Sequence, residues 1–127
     1  GRLHAAGRAL PNLGSLPHIS VAGACATGTH GSGDGNGALA TRVRSAELVR
    51  ADGTLDVVDD PASVVALGAL GIVTSLTLET VPAFDLAQWV VLDVPFHGFD
   101  LLPELLAGAY SVSAFTYWDR PVFDQVW

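Results

Sequence analysis

Six glycines fall within the eighteen residues from Ser20 to Gly37, SVAGACATGTHGSGDGNG, at positions 23, 28, 31, 33, 35 and 37. A glycine gives up more backbone freedom on ordering than any other residue, so a chain that gathers six of them has a use for bare main chain. A ligand lying directly against the backbone meets that use.

The rest of the chain can support an ordered site. Half of its 127 residues are apolar and only 15% are charged, which suits a globular core and not a disordered segment. It has no methionine, begins at Gly1 and ends in the strand-like PVFDQVW, and so reads as an internal piece of a longer protein. Six arginines and no lysine stand against thirteen acidic residues, and the net charge of −7 would repel a nucleic-acid backbone or an anionic bilayer. The lone Cys25 has no partner for an internal disulfide, and no apolar run reaches the roughly 20 residues that span a bilayer. A cytoplasmic location is expected.

Residues 2–6 read as the end of a helix stopped by Gly7, and the two prolines of ALPNLGSLPHIS impose an extended loop. Ser20 is placed to cap a short helix ending near Gly28. From Arg42, RVRSAELVRADGTLDVV reads as two strands joined at Asp52-Gly53. A short helix is expected over Pro61 to Leu67, with Pro61 in its first turn. Next comes a strand with Leu76 and Leu78 on one face and Ser75, Thr77 and Glu79 on the other, stopped by Pro82. The pattern then restarts as strand (LAQWVVLDVPF), helix (DLLPELLAGA) and strand (YSVSAFTYWD), with most of the aromatics gathered there. The shift at Pro82 divides the chain into residues 1–82 and 83–127, the second unit truncated, in an α+β fold.

Familiar motifs fit badly. A Walker loop requires a lysine, and the one G-x-G-x-x-A match, Gly35 to Ala40, follows a loop and not a strand. His4, His18, His30, His97 and Cys25 show no zinc spacing, so no metal site is expected, and HGSG lacks the first glycine of a nucleophile elbow. Two readings of the glycine stretch stand side by side. In one, helix and loop amides, with the hydroxyls of Thr27, Thr29 and Ser32, form a concave anion site suited to a pyrophosphate. In the other, it is a surface loop beside a tightly packed helix.

The stretch ALPNLGSLPHISVAGACATGTHGSGDGNGALA, followed by AELVRADG and LGALGIVTSLTLE, resembles the FAD domain of the vanillyl-alcohol oxidase / p-cresol methylhydroxylase superfamily. More narrowly it is similar to the alditol oxidases and the aldonolactone oxidases, and AYSVSAFTYWDRPVFDQVW resembles the start of their substrate domain. The resemblance implies a PCMH-type FAD-binding domain whose C-terminal part is residues 1–82, then the beginning of an antiparallel-sheet substrate domain at 83–127. It implies oxidation of the CH–OH group of a sugar alcohol to an aldose, with oxygen as acceptor and hydrogen peroxide as product. The alternatives are an aldonolactone oxidase or dehydrogenase, or a binding module that kept the fold without chemistry.

By the same resemblance, FAD is held through Ser20, Gly23, Thr27, Gly28, Thr29 and His30. Ser15 sits where flavin and substrate meet, and Ile72 contacts the adenine end through its main chain. For His30 a structural role, bonding a loop carbonyl, stays open, as does a plain turn role for Ser15. A flavin-tethering histidine and the catalytic residues would lie outside this chain. Between Asp52-Gly53 and Leu67-Gly68 the chain is several residues shorter than the family pattern.

Overall fold

A computed structural model describes the backbone of residues 1–127 and the side chains of all but Pro61, Gly98 and Phe99. The chain forms two compact units, one of Gly1–Gly31 with Asn36–Phe84, the other of Ser32–Gly35 with Asp85–Trp127. Helices and antiparallel sheets occur in both, which makes the fold class α+β.

In the first unit, α1 (Arg2–Ala5) ends before Gly7 and leads to β1 (Arg8–Ala9), which pairs antiparallel with β5 (Val81–Pro82). Helix α2 (Val21–Ala26) is capped by Ser20, whose hydroxyl accepts from the Gly23 amide. Such a cap contributes about 0.5–2 kcal/mol. Strands β2 (Val43–Val49), β3 (Leu55–Val58) and β4 (Ile72–Leu78) form one sheet in the order β3-β2-β4.

Two register shifts shape that sheet. Val43 pairs with Leu78 but Ser45 with Thr77, and Glu47 pairs with Ser75 but Leu48 with Val73, so Arg44 and Thr74 are extra residues. An extra residue lets side chains three apart face the same side. Val43 and Ala46 are therefore both buried, and Val73 and Leu76 both pack on the core. The β2–β3 turn is a three-residue loop and not the two-residue turn that Asp-Gly signals: Gly53 donates to the Arg50 carbonyl and Arg50 to the Thr54 carbonyl, with Gly53 left-handed at φ 83°.

Helix α3 (Pro61–Val64) is capped by Asp60, which accepts from Ala62 and Ser63, and it ends three residues short of the expected Leu67. The reason is tertiary. The Leu67 amide donates to the Ala26 carbonyl at the end of α2 instead of continuing its own helix. The core holds Ala24, Cys25, Leu39, Ala40, Val43, Ala46 and Val64, so α2 approaches the sheet through small side chains.

The second unit has a sheet in the order β6-β8-β7, from β6 (Val91–Pro95), β7 (Ala114–Phe115) and β8 (Val122–Val126), with α4 (Leu102–Ala107) between β6 and β7. Among the described residues Phe123 and Val126 are its buried ones, and Phe96 meets Phe123 edge-on at 4.9 Å. The strand expected over YSVSAFTYWD shrinks to two residues, since the chain turns at Trp118 with φ 62°. Among the described residues no helix is long and apolar enough to cross a membrane.

Candidate cofactor site

Helix α2 hands the chain to the glycine stretch through a short hydroxyl relay. Thr27 Oγ1 donates to the Gly23 carbonyl at 3.0 Å and lies 3.0 Å from Thr29 Oγ1. A hydroxyl has one proton, so with the Thr27 proton on a carbonyl, the Thr29 proton fills the gap between the two oxygens. Both donors are spent locally, while the Ser20 oxygen is engaged as the acceptor of its cap. The helix itself is only six residues long, too short to offer an N-terminal anion site.

What the loop does offer is main chain. The Gly28 and Thr29 amides return to Cys25 and Ala24, and the Thr29 carbonyl accepts from Leu39, which closes the loop at its base. No main-chain hydrogen bond among the described residues uses the amides of His30, Gly31, Gly33 or Gly35. Such amides are the donor set that a phosphate needs. His30 is exposed, and its Nδ1–H donates to the Gly31 carbonyl at 2.8 Å. This is the carbonyl bond left open for His30 from the sequence.

A second loop packs on the first. A β-carbon at Gly14 would stand 2.7 Å from Thr29 Cγ2. One at Gly31 would collide with Asn12 Oδ1 and stand 2.5 Å from the Leu13 carbonyl oxygen. The segment that carries Ser15 and the segment from Thr27 to His30 are thus brought together, backbone against backbone. Ser15 itself is exposed. Sequence reasoning missed Asn12, whose Oδ1 accepts from the Leu13 amide and whose Nδ2 is buried without a partner. Its only signal was the Asn-Leu-Gly between two prolines.

Gly23 belongs to a different feature. It lines a mainly apolar cavity of about 240 Å³ with Ala22, Ala26, Leu48, Val64 and Val73. Gly71 and Val73 contribute to that lining but Ile72 does not: its side chain is 74% exposed, on the other side of the strand. The structure thus packs Asn12 to Gly14, the residues before Ser15, on Thr29 to Gly31, and leaves Ile72 off the cavity lining.

The FAD binding domain family matches residues 2–59, a span that contains both contacting loops and α2. Residues 2–59 belong to that family. FAD is the cofactor of such a domain.

The chain is 53% identical over 131 residues to an alditol oxidase from a Streptomyces species, a match covering 98% of this chain and 31% of that protein. It is 42% identical over 94 residues to a putative D-arabinono-1,4-lactone oxidase from Neurospora crassa, covering 68% of this chain and 17% of that protein. With the mouse L-gulonolactone oxidase the identity is 37% over 89 residues, covering 65% of this chain and 20% of that protein. The chain therefore spans about a third or less of the length of these curated relatives. The first match runs over more positions than this chain has residues, so that relative carries residues this chain lacks.

Proposed function

We propose that the protein containing this chain is an FAD-dependent oxidase that converts the CH–OH group of a sugar alcohol to the carbonyl of an aldose, with oxygen as the electron acceptor. One observation carries this reading: two loops in main-chain contact, bearing Ser15 and Thr27 to His30, lie within a segment half identical to an alditol oxidase. When bound, FAD supplies the hydride acceptor, and its reoxidation by oxygen yields hydrogen peroxide.

In this reading main-chain amides of the loop after Gly28 bind the pyrophosphate, with Gly28 turning the chain out of α2 toward it. Thr29 turns its hydroxyl toward the cofactor or stays on Thr27. Ser20 and Gly23 fix the helix behind the loop, Ser15 borders both flavin and substrate, and the main chain at Ile72 lies toward the adenine. Residues 1–82 are the C-terminal part of the cofactor-binding domain in this reading, and residues 83–127 open the substrate domain. Any histidine tethering the flavin, and the groups that activate the polyol, lie in parts of the protein outside these residues. Cytoplasmic localisation belongs to the same proposal and is tested by cell fractionation.

The test is the full-length protein's absorption in the flavin bands, before and after acid precipitation, followed by peroxide release with xylitol, sorbitol and galactonolactone. Yellow protein with peroxide from the polyols is expected. A colourless protein refutes the oxidase reading and leaves a binding module. The lactone-oxidase relatives favour a second reading, oxidation of an aldonolactone. Activity on the lactone alone supports it, and dye reduction without peroxide indicates a dehydrogenase.

A further inference from the structure

The middle of the glycine loop is held by residues far along the chain. Ser32 to Gly35 packs as part of the second unit, while Gly31 and Asn36 on either side belong to the first. Ser32 Oγ is hydrogen-bonded to Ser111 Oγ and accepts from Ser113 Oγ at 3.2 Å. The partners are 79 and 81 residues away in sequence. Ser113 donates to Ser32, and either hydroxyl can supply the proton between Ser32 and Ser111.

Ser113 is itself rigidly placed. Its amide donates to the Trp127 carbonyl at 3.1 Å and its carbonyl accepts from the Trp127 amide at 2.8 Å, a two-way bridge at the end of the β7–β8 ladder. The Trp127 ring packs against Phe115 at 4.9 Å. A loop with glycines at 31, 33, 35 and 37 would otherwise lose its conformational entropy only when the cofactor arrives, which weakens binding.

We propose that Ser111 and Ser113 are positioning residues for the cofactor loop: by holding the Ser32 hydroxyl they order the neighbouring Gly33 and Gly35 amides before FAD binds. This rests on the reading that the loop binds FAD. Ser32, which the sequence suggested as a phosphate donor, is the anchor point of the loop.

The experiment compares full-length wild-type protein with Ser111→Ala/Ser113→Ala and with Ser113→Thr, which keeps a hydroxyl. Apo-protein is reconstituted with FAD and the dissociation constant is read from flavin fluorescence quenching, beside the thermal midpoint of the apo form and amide hydrogen exchange over residues 29 to 37. The double alanine variant is expected to bind FAD about five- to thirtyfold more weakly, as two net hydrogen bonds imply. Its loop exchange should be faster and its apo midpoint little changed, with Ser113→Thr restoring most of the affinity. An unchanged dissociation constant overturns the proposal, as does an apo midpoint that falls while FAD affinity holds. If the double variant does not fold, Ser113→Ala alone decides through loop exchange, and wild-type exchange overturns the proposal. Failure of the wild type to take up FAD refutes the oxidase reading instead, and loop exchange still judges the serine clasp.

Discussion

Gly31 lies against Asn12 so closely that any side chain at position 31 would collide with the Asn12 carboxamide oxygen and press to 2.5 Å of the Leu13 carbonyl. The glycine density of the loop therefore has more than one cause. At position 31 bare backbone is needed for a loop-to-loop contact within the protein, whereas at Gly35 no atom lies within 4 Å of where a β-carbon would stand.

The two positions should respond differently to the same change. Gly31→Ala meets backbone as well as a side chain, so the loops must separate, at a cost of about 1–3 kcal/mol in thermal unfolding. Flavin content of the purified full-length protein should fall with it. Gly35→Ala is expected to stay within about 0.5 kcal/mol of wild type and to keep its flavin. Equal effects at both sites would mean that the packing of Asn12 on Gly31 does not define the site.

Gly28 tests conformation instead of space. It turns the chain out of α2 at φ 66°, and a β-carbon there would sit 3.4 Å from Val65 Cγ1, an ordinary contact. Gly28→Val forces a branched residue into the left-handed region and should cost on the order of 1–3 kcal/mol with loss of flavin. Gly28→Asn, which tolerates that region, should recover much of both. Cys25→Ala is the control, since the thiol is buried in the core away from the loop, and it should retain flavin.

What could be read from the sequence was local. The Ser20 cap, the Asp52-Gly53 turn and the inward set of Leu76 and Leu78 depend on residues within a few positions of each other. The extra residues at Arg44 and Thr74 depend on which strand lies opposite, and the early end of α3 depends on the Ala26 carbonyl. Neither leaves a trace in the segment concerned. The same holds at the site: the resemblance pointed to Ser15 and Thr27 to His30, but the contact of Gly31 with Asn12 and the tie from Ser32 to Ser111 appear only when the chain is folded. The hydroxyls of Thr27 and Ser32, natural phosphate donors by composition, are bonded within the protein.

Acid should destabilise the fold in a defined window. Hydrogen bonds from Arg50 hold Asp56 below the usual carboxylate range, the Ala62 amide and Ser63 hydroxyl do the same for Asp60, and Arg44 then Arg42 for Glu79. Asp124 is lowered by the Tyr117 amide and then Arg120. A lowered folded pKa means the native state binds fewer protons than the unfolded chain, so stability rises with pH through the window. The contribution is complete above the ordinary carboxylate range and is lost as pH falls through the lowered values. The thermal midpoint of the full-length protein should be flat from about pH 5.5 to 8 and decline below about pH 4. Asp60→Ala should lower the midpoint at neutral pH and converge on wild type in acid. A constant gap at all pH values would show that the charge on the cap contributes nothing.

Under the proposed reading, Gly71 and Ile72 allow main-chain recognition of FAD to be told from side-chain recognition. Gly71 has φ 146°, and a β-carbon there would strike the Val49 carbonyl, where β4 begins its pairing with β2. Ile72 points the other way, its side chain 74% exposed, while Val73 lines the apolar cavity behind α2. If the adenine end of FAD is read by main chain here, Ile72→Ala removes nothing the cofactor uses, and the FAD dissociation constant should change by less than about twofold. Gly71→Ala shifts the strand end itself and should cost about 1–3 kcal/mol of stability, with a clear loss of FAD affinity. Both constants are measured on reconstituted full-length apo-protein. A tenfold loss on Ile72→Ala with an unchanged apo midpoint would assign the contact to the isoleucine side chain, and an unchanged affinity for Gly71→Ala would remove this strand end from the cofactor site altogether.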